Sequence, residues 1–350
     1  MTRGFSLSEY DYPLPESAIA RYPAPRRTGS RLLVMDRRTG RLADRRFAEV
    51  GAYLRPGDCL VLNDTAVFPA RLRGRKPTGG RVELLLLGFP REAGDGTAEA
   101  RALCRASKGL RAGQRVEVAP DLEVEVLAVE GGGEARVRLH YRGGLARVLD
   151  RRGEVPLPPY IRRAPEAPDR RRYQTVYAAR TGSVAAPTAG LHFSRGLLEE
   201  IRAAGVRVAR VTLHVGYGTF APIRVDDVRA HRIHEEWVSV PAEAVAAVAE
   251  TRRAGGRVVA VGTTTVRALE WAAEGEGGLE PREGACGLYI LPGHRFRVVD
   301  ALVTNFHLPR SSLLVLVAAF AGLDPVLRAY AHARDRGYRF YSYGDAMLIL

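Results

Sequence analysis

Two regimes of hydrophobic spacing divide this chain. Between about residues 80 and 142 apolar and polar positions alternate: Leu122, Val124, Val126 and Ala128 share one face, and Ala135, Val137, Leu139 and Tyr141 share another. A period of two is the pattern of a half-buried strand. Gly131, Gly132 and Gly133 join these runs as a hairpin, and short strands are predicted at 81–87, 100–105 and 115–118. The stretch reads as a small all-β unit that must close or cover its edges. Elsewhere strands and helices alternate. Strands are predicted at 60–62, 208–215, 257–261, 287–291 and 296–299, and helices at 241–254, 264–273, 309–321 and 324–334, the first stopped by Gly255 and Gly256. Such alternation implies an α/β layer covered on both faces. The strand at 60–62 precedes the β unit, so the β unit interrupts the α/β portion. The expected fold is a layered α/β main domain (1–68 and 156–350) with an inserted small antiparallel β-barrel domain (69–155). Pro156, Pro158 and Pro159 suit the second join, because proline stiffens a connection and resists helix and central strand alike.

A length of 350 residues exceeds the usual single domain, which agrees with two. No basic-then-apolar leader opens the sequence, and the apolar stretch at 312–321 is too short to cross a bilayer, so a cytoplasmic protein without membrane contact is expected. Cys59, Cys104 and Cys286 are odd in number, widely spaced and outside any C-x-x-C pattern, which argues for buried thiols over disulfides or a thiolate metal site. The net charge of +14, from 53 Lys and Arg against 39 Asp and Glu, raises the local concentration of polyanions such as RNA. All but Lys76 and Lys108 of those basic residues are arginine. A coding bias towards arginine changes the residue type without creating the surplus.

Four segments combine Gly or Pro turns with polar side chains beside an apolar run: NDTAVFPAR (63–71), PTAGLHF (187–193), TLHVGYGTF (212–220) and TNFHLPRSS (304–312). Polar loops at the ends of buried strands are where open α/β sheets place ligands. In a fifth, Val261-Gly262-Thr263-Thr264-Thr265, a strand passes into a helix, so amides and hydroxyls there either cap the helix or hold an anion or ribose oxygen. His192, His214 and His307 come from three of these loops and are candidates to accept or deliver a proton. A three-histidine zinc site is the rival, unsupported by any H-x-H or H-x-x-x-H spacing. Gly216-Tyr217-Gly218 is a lone G-x-G, and no dinucleotide fingerprint or Walker A sequence is present.

Read together, LVLNDT…PARL (60–72), KPTGGRVELLLL (76–87), RYQTVYA (172–178), GSVAAPTAGLHF (182–193), VTLHVGYGTF (211–220), VGTTTVRALE (261–270), VTNFHLPRSSLL (303–314) and YRFYSYGDAMLI (338–349) resemble the S-adenosylmethionine:tRNA ribosyltransferase-isomerase family of queuosine biosynthesis. The resemblance runs from Tyr10-Asp11 to the C-terminus. It implies transfer of the ribosyl part of S-adenosylmethionine to 7-aminomethyl-7-deazaguanine (preQ1) at the wobble position of tRNA, with rearrangement to epoxyqueuosine and loss of adenine and methionine. It also implies an α/β domain carrying an inserted β-barrel. No cofactor is implied, metal or redox, because S-adenosylmethionine is consumed as a substrate, and no obligate protein partner is implied. The chain departs from the family pattern at Ala66, where arginine is common, at Ile233-His234-Glu235-Glu236 and at Cys286-Gly287.

A sulfonium acidifies the adjacent 5′ carbon and makes methionine a leaving group, so this chemistry needs a base near that carbon and donors around the departing adenine. The candidate catalytic residues are His192, His214, His307 and Asp64, with His192 first because flanking Pro and Gly fix its loop. Asp64 or Glu236 would sit near the sulfonium, and Arg267 would hold the methionine carboxylate or a phosphate. Asn63, Thr188, Gly190, Gly216, Gly218, Thr219, Thr263, Thr264 and Asn305 complete the candidate substrate contacts. Arg71, Arg73 and Lys76 at the first join, and Arg170, Arg171 and Arg172 after the second, are the candidate RNA contacts at one inter-domain boundary. The rival readings are a non-catalytic RNA-binding protein and an RNA methyltransferase.

Overall fold

The computed structural model describes residues 4–220 and 222–350, apart from the side chains of residues 219 and 220. The chain opens with β1 (Arg31–Met35), β2 (Leu42–Arg46), β3 (Cys59–Asn63) and the short β4 (Thr65–Val67). It then enters a run of strands that ends at Tyr141: β5 (Arg71–Arg75), β6 (Arg81–Leu86), β7 (Arg91–Gly94), β8 (Thr97–Ala106), β9 (Arg115–Ala119), β10 (Leu122–Gly131) and β11 (Glu134–Tyr141). Helices α1 (Leu145–Arg152) and α2 (Asp169–Arg172) lead back to β12 (Arg180–Ser183), which pairs in parallel with β4. The rest of the α/β portion is α3 (Arg195–Ala203), β13 (Arg207–Leu213), β14 (Glu236–Val240), α4 (Ala242–Arg253), β15 (Val258–Val261), α5 (Thr263–Ala272), β16 (Arg282–Cys286), β17 (Ala301–Asn305), α6 (Ser312–Ala321), α7 (Leu323–Asp335) and β18 (Ala346–Ile349).

The main sheet has nine strands in the order β16-β14-β13-β3-β15-β17-β18-β1-β2. Its centre, β13-β3-β15-β17, is parallel. β3 and β15 are buried throughout. Strands covered on both faces read as continuous apolar runs instead of alternating ones. One face packs α4, α5, α6 and α7 into the largest core cluster, which includes Trp271, Phe306, Leu314 and Tyr330. The other packs α3 and the helical turn Phe47–Tyr53 around Phe47, Phe193 and Ile201. Helices α6 and α7 meet at a 114° bend, and no single helix among the described residues is long and apolar enough to cross a membrane.

In the β unit, β5-β6-β8-β11-β10-β9 closes on itself as a six-stranded antiparallel barrel, with β7 paired to β8. Closure rests on the short β5–β9 contact at Arg75 and Glu117. Gly74 permits it: a Cβ there would lie 2.5 Å from the Glu117 carbonyl oxygen. Leu122, Val124 and Val126 point into the barrel core as the alternation requires, and a register shift between Val126 and Ala128 ends the pattern. Leu145, Val148 and Leu149 of α1 pack into the same core.

The chain at 287–291 and 296–299 forms no strand, against the sequence reading. The amides of Arg297, Val298 and Val299 donate instead to the buried Glu270 carboxylate on α5, and the Leu288 carbonyl accepts from Arg267 Nε. Side chains have taken the backbone groups a ladder would need. The edge strand forms at β16 instead.

Candidate active site

A cavity of about 220 Å³ opens beyond the carboxyl ends of β15 and β17, where open α/β sheets collect ligands. Its wall includes Thr188, Thr263, Thr264, Thr304, Asn305 and His307, with Tyr160 and Tyr341 facing them. Gly262 ends β15 with φ 92° and turns the chain into α5. Asn63, fully buried at the end of β3, ties the floor together. Its Oδ1 accepts from the Thr65 and Leu213 amides, while Nδ2 donates to the Leu213 carbonyl and to Thr264 Oγ1. Thr265 Oγ1 donates back to the Val261 carbonyl. Thr264 and Thr265 thus bond within the protein, and Thr263 and Thr264 both line the cavity.

The three histidines occupy three different environments. His307 lines the cavity, with Nε2 2.8 Å from Thr304 Oγ1 and no partner for Nδ1 among the described residues. Burial lowers its pKa to about 3, so the ring is neutral. His192 is also buried and lowered to about 3, first by desolvation and then by Arg339, Arg27 and Arg172. Both of its ring nitrogens are engaged: Nδ1 with Ser30 Oγ at 2.7 Å and Nε2 with the Asn305 amide at 3.0 Å. Asn305 Oδ1 in turn accepts from Thr188. His192 therefore stands behind Asn305. His214 stacks on Trp237 at 4.8 Å and bonds Thr65 Oγ1 through Nδ1. Burial lowers its pKa against the pull of Asp64. Gly182 makes room for it, since a Cβ there would lie 2.4 Å from Nε2. Among the described residues no group of three His, Cys, Asp or Glu side chains is placed to hold a metal ion.

Asp64 is buried and accepts from Thr212 Oγ1 at 2.6 Å. Glu236 and Arg267 form a buried ion pair with each other. Glu236 also accepts from the Gly216 amide, and Arg267 also donates to the Leu288 and Cys286 carbonyls. Arg267 is thus committed to protein groups. Gly190 packs against Tyr177, whose hydroxyl would lie 2.0 Å from an added Cβ, and Gly218 packs as closely against His234. The side chain of Thr219 lies outside the described residues.

The arginines separate into two clefts. Arg71 meets Arg105, Arg162 and Arg163 in a cleft of about 410 Å³ that also holds barrel residues and Pro156 to Pro159. Arg170, Arg171 and Arg172 line another, of about 570 Å³, with Arg27, Arg195 and Ala66. Several are already engaged. Arg73 pairs with Glu83 and Glu154, and Lys76 Nζ donates to the Lys108 and Gly109 carbonyls. Arg172 donates to the Pro25 and Ala24 carbonyls, and Arg170 pairs with Asp150. Arg171 and Arg195 are exposed, and their side chains have no partner among the described residues.

Sequence reasoning passed over Ser30, which positions His192, and Tyr160, Tyr341 and Ser342 at the cavity wall. Ser30 carries no motif. The two tyrosines lie in ordinary apolar contexts, and the block 338–349 was notable only as a whole. The left-handed backbone of Tyr341, φ 75°, has no signature in a tyrosine.

The model of the queuosine biosynthesis protein family matches residues 7–349. An S-adenosylmethionine:tRNA ribosyltransferase-isomerase of Anaeromyxobacter dehalogenans is 55% identical over 98% of this chain and 99% of its own. One from Trichlorobacter lovleyi is 52% identical over the same shares. The crystal structure of an S-adenosylmethionine tRNA ribosyltransferase from Thermotoga maritima is 39% identical, covers 98% of this chain and 100% of its own, and has a TM-score of 0.55. The chain belongs to the queuosine biosynthesis family of S-adenosylmethionine:tRNA ribosyltransferase-isomerases.

Proposed function

We propose that this enzyme transfers and isomerises the ribosyl moiety of S-adenosylmethionine onto preQ1 at the wobble position of tRNA in the cytoplasm, giving epoxyqueuosine-tRNA and releasing adenine and methionine. The observation that carries the reading is His307, a buried neutral imidazole with one nitrogen unpartnered among the described residues, on the wall of a hydroxyl-lined cavity at the strand ends. When Thr304 Oγ1 accepts from Nε2–H, the Nδ1 lone pair is available for the proton beside the sulfonium. His192 acts through Asn305, holding that amide at the cavity wall, and is a positioning residue. Thr188, Thr263 and Asn305 supply polar contacts to the ribose and adenine. Asp64, Glu236, Gly216 and Arg267 hold the loops behind this wall. The sulfonium itself activates both the carbon acid and the leaving group, so the reading calls for no metal. For tRNA, the exposed Arg171 and Arg195 of the second arginine cleft supply phosphate contacts, with Arg71 at the barrel neck as a further contact. The test is product analysis: purified protein with S-adenosylmethionine and preQ1-tRNA releases adenine and methionine in the presence of a chelator. S-adenosylhomocysteine as the main product would make it a methyltransferase, and no turnover would leave an RNA-binding protein.

A further inference from the structure

Two helices begin at the wall of the same cavity. α5 starts at Thr263, and among the described residues nothing accepts from the amides of Thr263 and Thr264, whereas those of Thr265 and Val266 bond the Gly262 carbonyl. α6 starts at Ser312. Its cap, Ser311 Oγ, takes the Leu314 amide and leaves those of Ser312 and Leu313 without an acceptor among the described residues. Gly262, Thr263, Thr264, Ser311 and Leu313 all line the cavity. Each helix start carries partial positive charge, roughly +0.5 of an elementary charge. Among the described residues no Asp or Glu lines the cavity to balance the two.

Tyr341 is an independent sign of a ligand at this place. It lines the cavity and is only 8% exposed, and its hydroxyl is buried with no hydrogen-bond partner among the described residues. Burial raises its pKa, so the group is a proton donor at all working pH. Its backbone holds φ 75°, which a residue other than glycine adopts only at a cost that the surroundings must offset. An unsatisfied hydroxyl and a left-handed backbone at one residue are each unfavourable, and both become useful once an acceptor enters.

We propose that the α5 and α6 amino termini and the Tyr341 hydroxyl form one anion subsite, and that it takes the carboxylate of the methionyl part of S-adenosylmethionine. The inference rests on the reading of S-adenosylmethionine as the consumed substrate. A carboxylate fits better than a tRNA phosphate for two reasons. The donors are amides and a buried hydroxyl within a small cavity, where a polynucleotide backbone has no room. Among the described residues the one cationic side chain of the wall, Arg310, is already paired with Asp11. Arg267, the other cation that could hold a carboxylate, is locked to Glu236.

The experiment compares S-adenosylmethionine with its decarboxylated analogue, which lacks only the carboxylate, by calorimetric binding to the full chain. The native protein is expected to bind the analogue at least about 30-fold more weakly. In Tyr341→Phe the preference narrows about 5- to 10-fold, because affinity for S-adenosylmethionine falls while that for the analogue is unchanged. KM for S-adenosylmethionine rises more than kcat falls. Ser312→Pro, which deletes one amide donor at the first position of α6, where proline is tolerated after the extended Ser311, gives the same narrowing and decides the matter if Tyr341→Phe does not fold. Equal affinity of the native protein for both ligands, or equal loss of both in the variants, overturns the subsite. Weaker tRNA binding with unchanged S-adenosylmethionine binding would assign the anion to a phosphate and overturn the carboxylate. Discrimination by carboxylate without adenine release would leave the subsite standing and sink the proposed reaction instead.

Discussion

His307 and His192 have the same burial and the same lowered pKa, yet their hydrogen bonds give them different work. His307 keeps a nitrogen for the cavity, whereas His192 spends both on Ser30 and Asn305. His307→Ala is therefore expected to lower kcat about a hundredfold while S-adenosylmethionine still binds within a few-fold of the native affinity, as for a lost general base. Near-native turnover of this variant would place the base elsewhere. His192 has a separate signature in stability. Its folded pKa, about 3, lies below the ordinary value of 6.5, so its stabilising contribution is complete above 6.5. It is lost as pH falls from 6.5 towards 3, because only the unfolded chain takes up the proton there. His192→Gln should remove that share. Urea unfolding between pH 7 and 5 would then fall less steeply than in the native protein, by about 1.4 kcal/mol per pH unit below the ordinary value. An unchanged slope would mean that the ring is solvated in the folded state.

At the level of elements, the helical turn Thr188–His192 is what brings Thr188 and His192 to opposite sides of Asn305. Gly190 sits at its centre. The sequence marks this glycine as a candidate substrate contact, but the turn is pressed onto Thr175 and Tyr177 of the loop between α2 and β12 instead, with the Tyr177 hydroxyl where a side chain would begin. Gly190→Ala is expected to destabilise the protein by about 1–3 kcal/mol through overpacking, lowering Tm by several degrees and displacing Asn305 from the cavity wall. A native Tm would show that the turn relaxes freely. The Thr263–Thr265 run illustrates the same point. Its pattern left both capping and ligand binding open; in the structure Thr265 bonds its own strand, Thr264 receives Asn63, and Thr263 and Thr264 both line the cavity.

Across the whole molecule, arginine does two kinds of work that a net charge cannot distinguish. Arg27, Arg172 and Arg267 have turned inward to hold backbone carbonyls or a carboxylate, whereas Arg171 and Arg195 remain in solvent beside the same cleft. Changing Arg170, Arg171 and Arg172 together would confuse the two roles. Arg171→Gln with Arg195→Gln is the cleaner test. Binding of tRNA is expected to weaken, and the slope of log affinity against log salt to become shallower by about 1–2, with S-adenosylmethionine binding and Tm unchanged. If the slope stays as in the native protein, the RNA runs over another face.

The sequence by itself determined the two-part plan and the segments that build the site. Period-two alternation and β-strands enclosed by helical periods are local signals, and burial on one face or both imposes them directly. The strands β10 and β11, the helices α4 to α7 and the loops carrying Asn63, His192, His307 and Thr263 were all legible for that reason. Strands outside the parallel centre were not: β1, β2, β14 and β18 went unread, β1 and β18 pairing with each other from opposite ends of the chain, and the anticipated strand at 296–299 lost its amides to Glu270. Tertiary structure alone decided which histidine reaches the cavity, that Arg267 is consumed by Glu236, and that a buried tyrosine lines the cavity at which two helices begin. These depend on which group lies at hydrogen-bond distance once layers have packed, and residue type and local spacing carry no record of that distance.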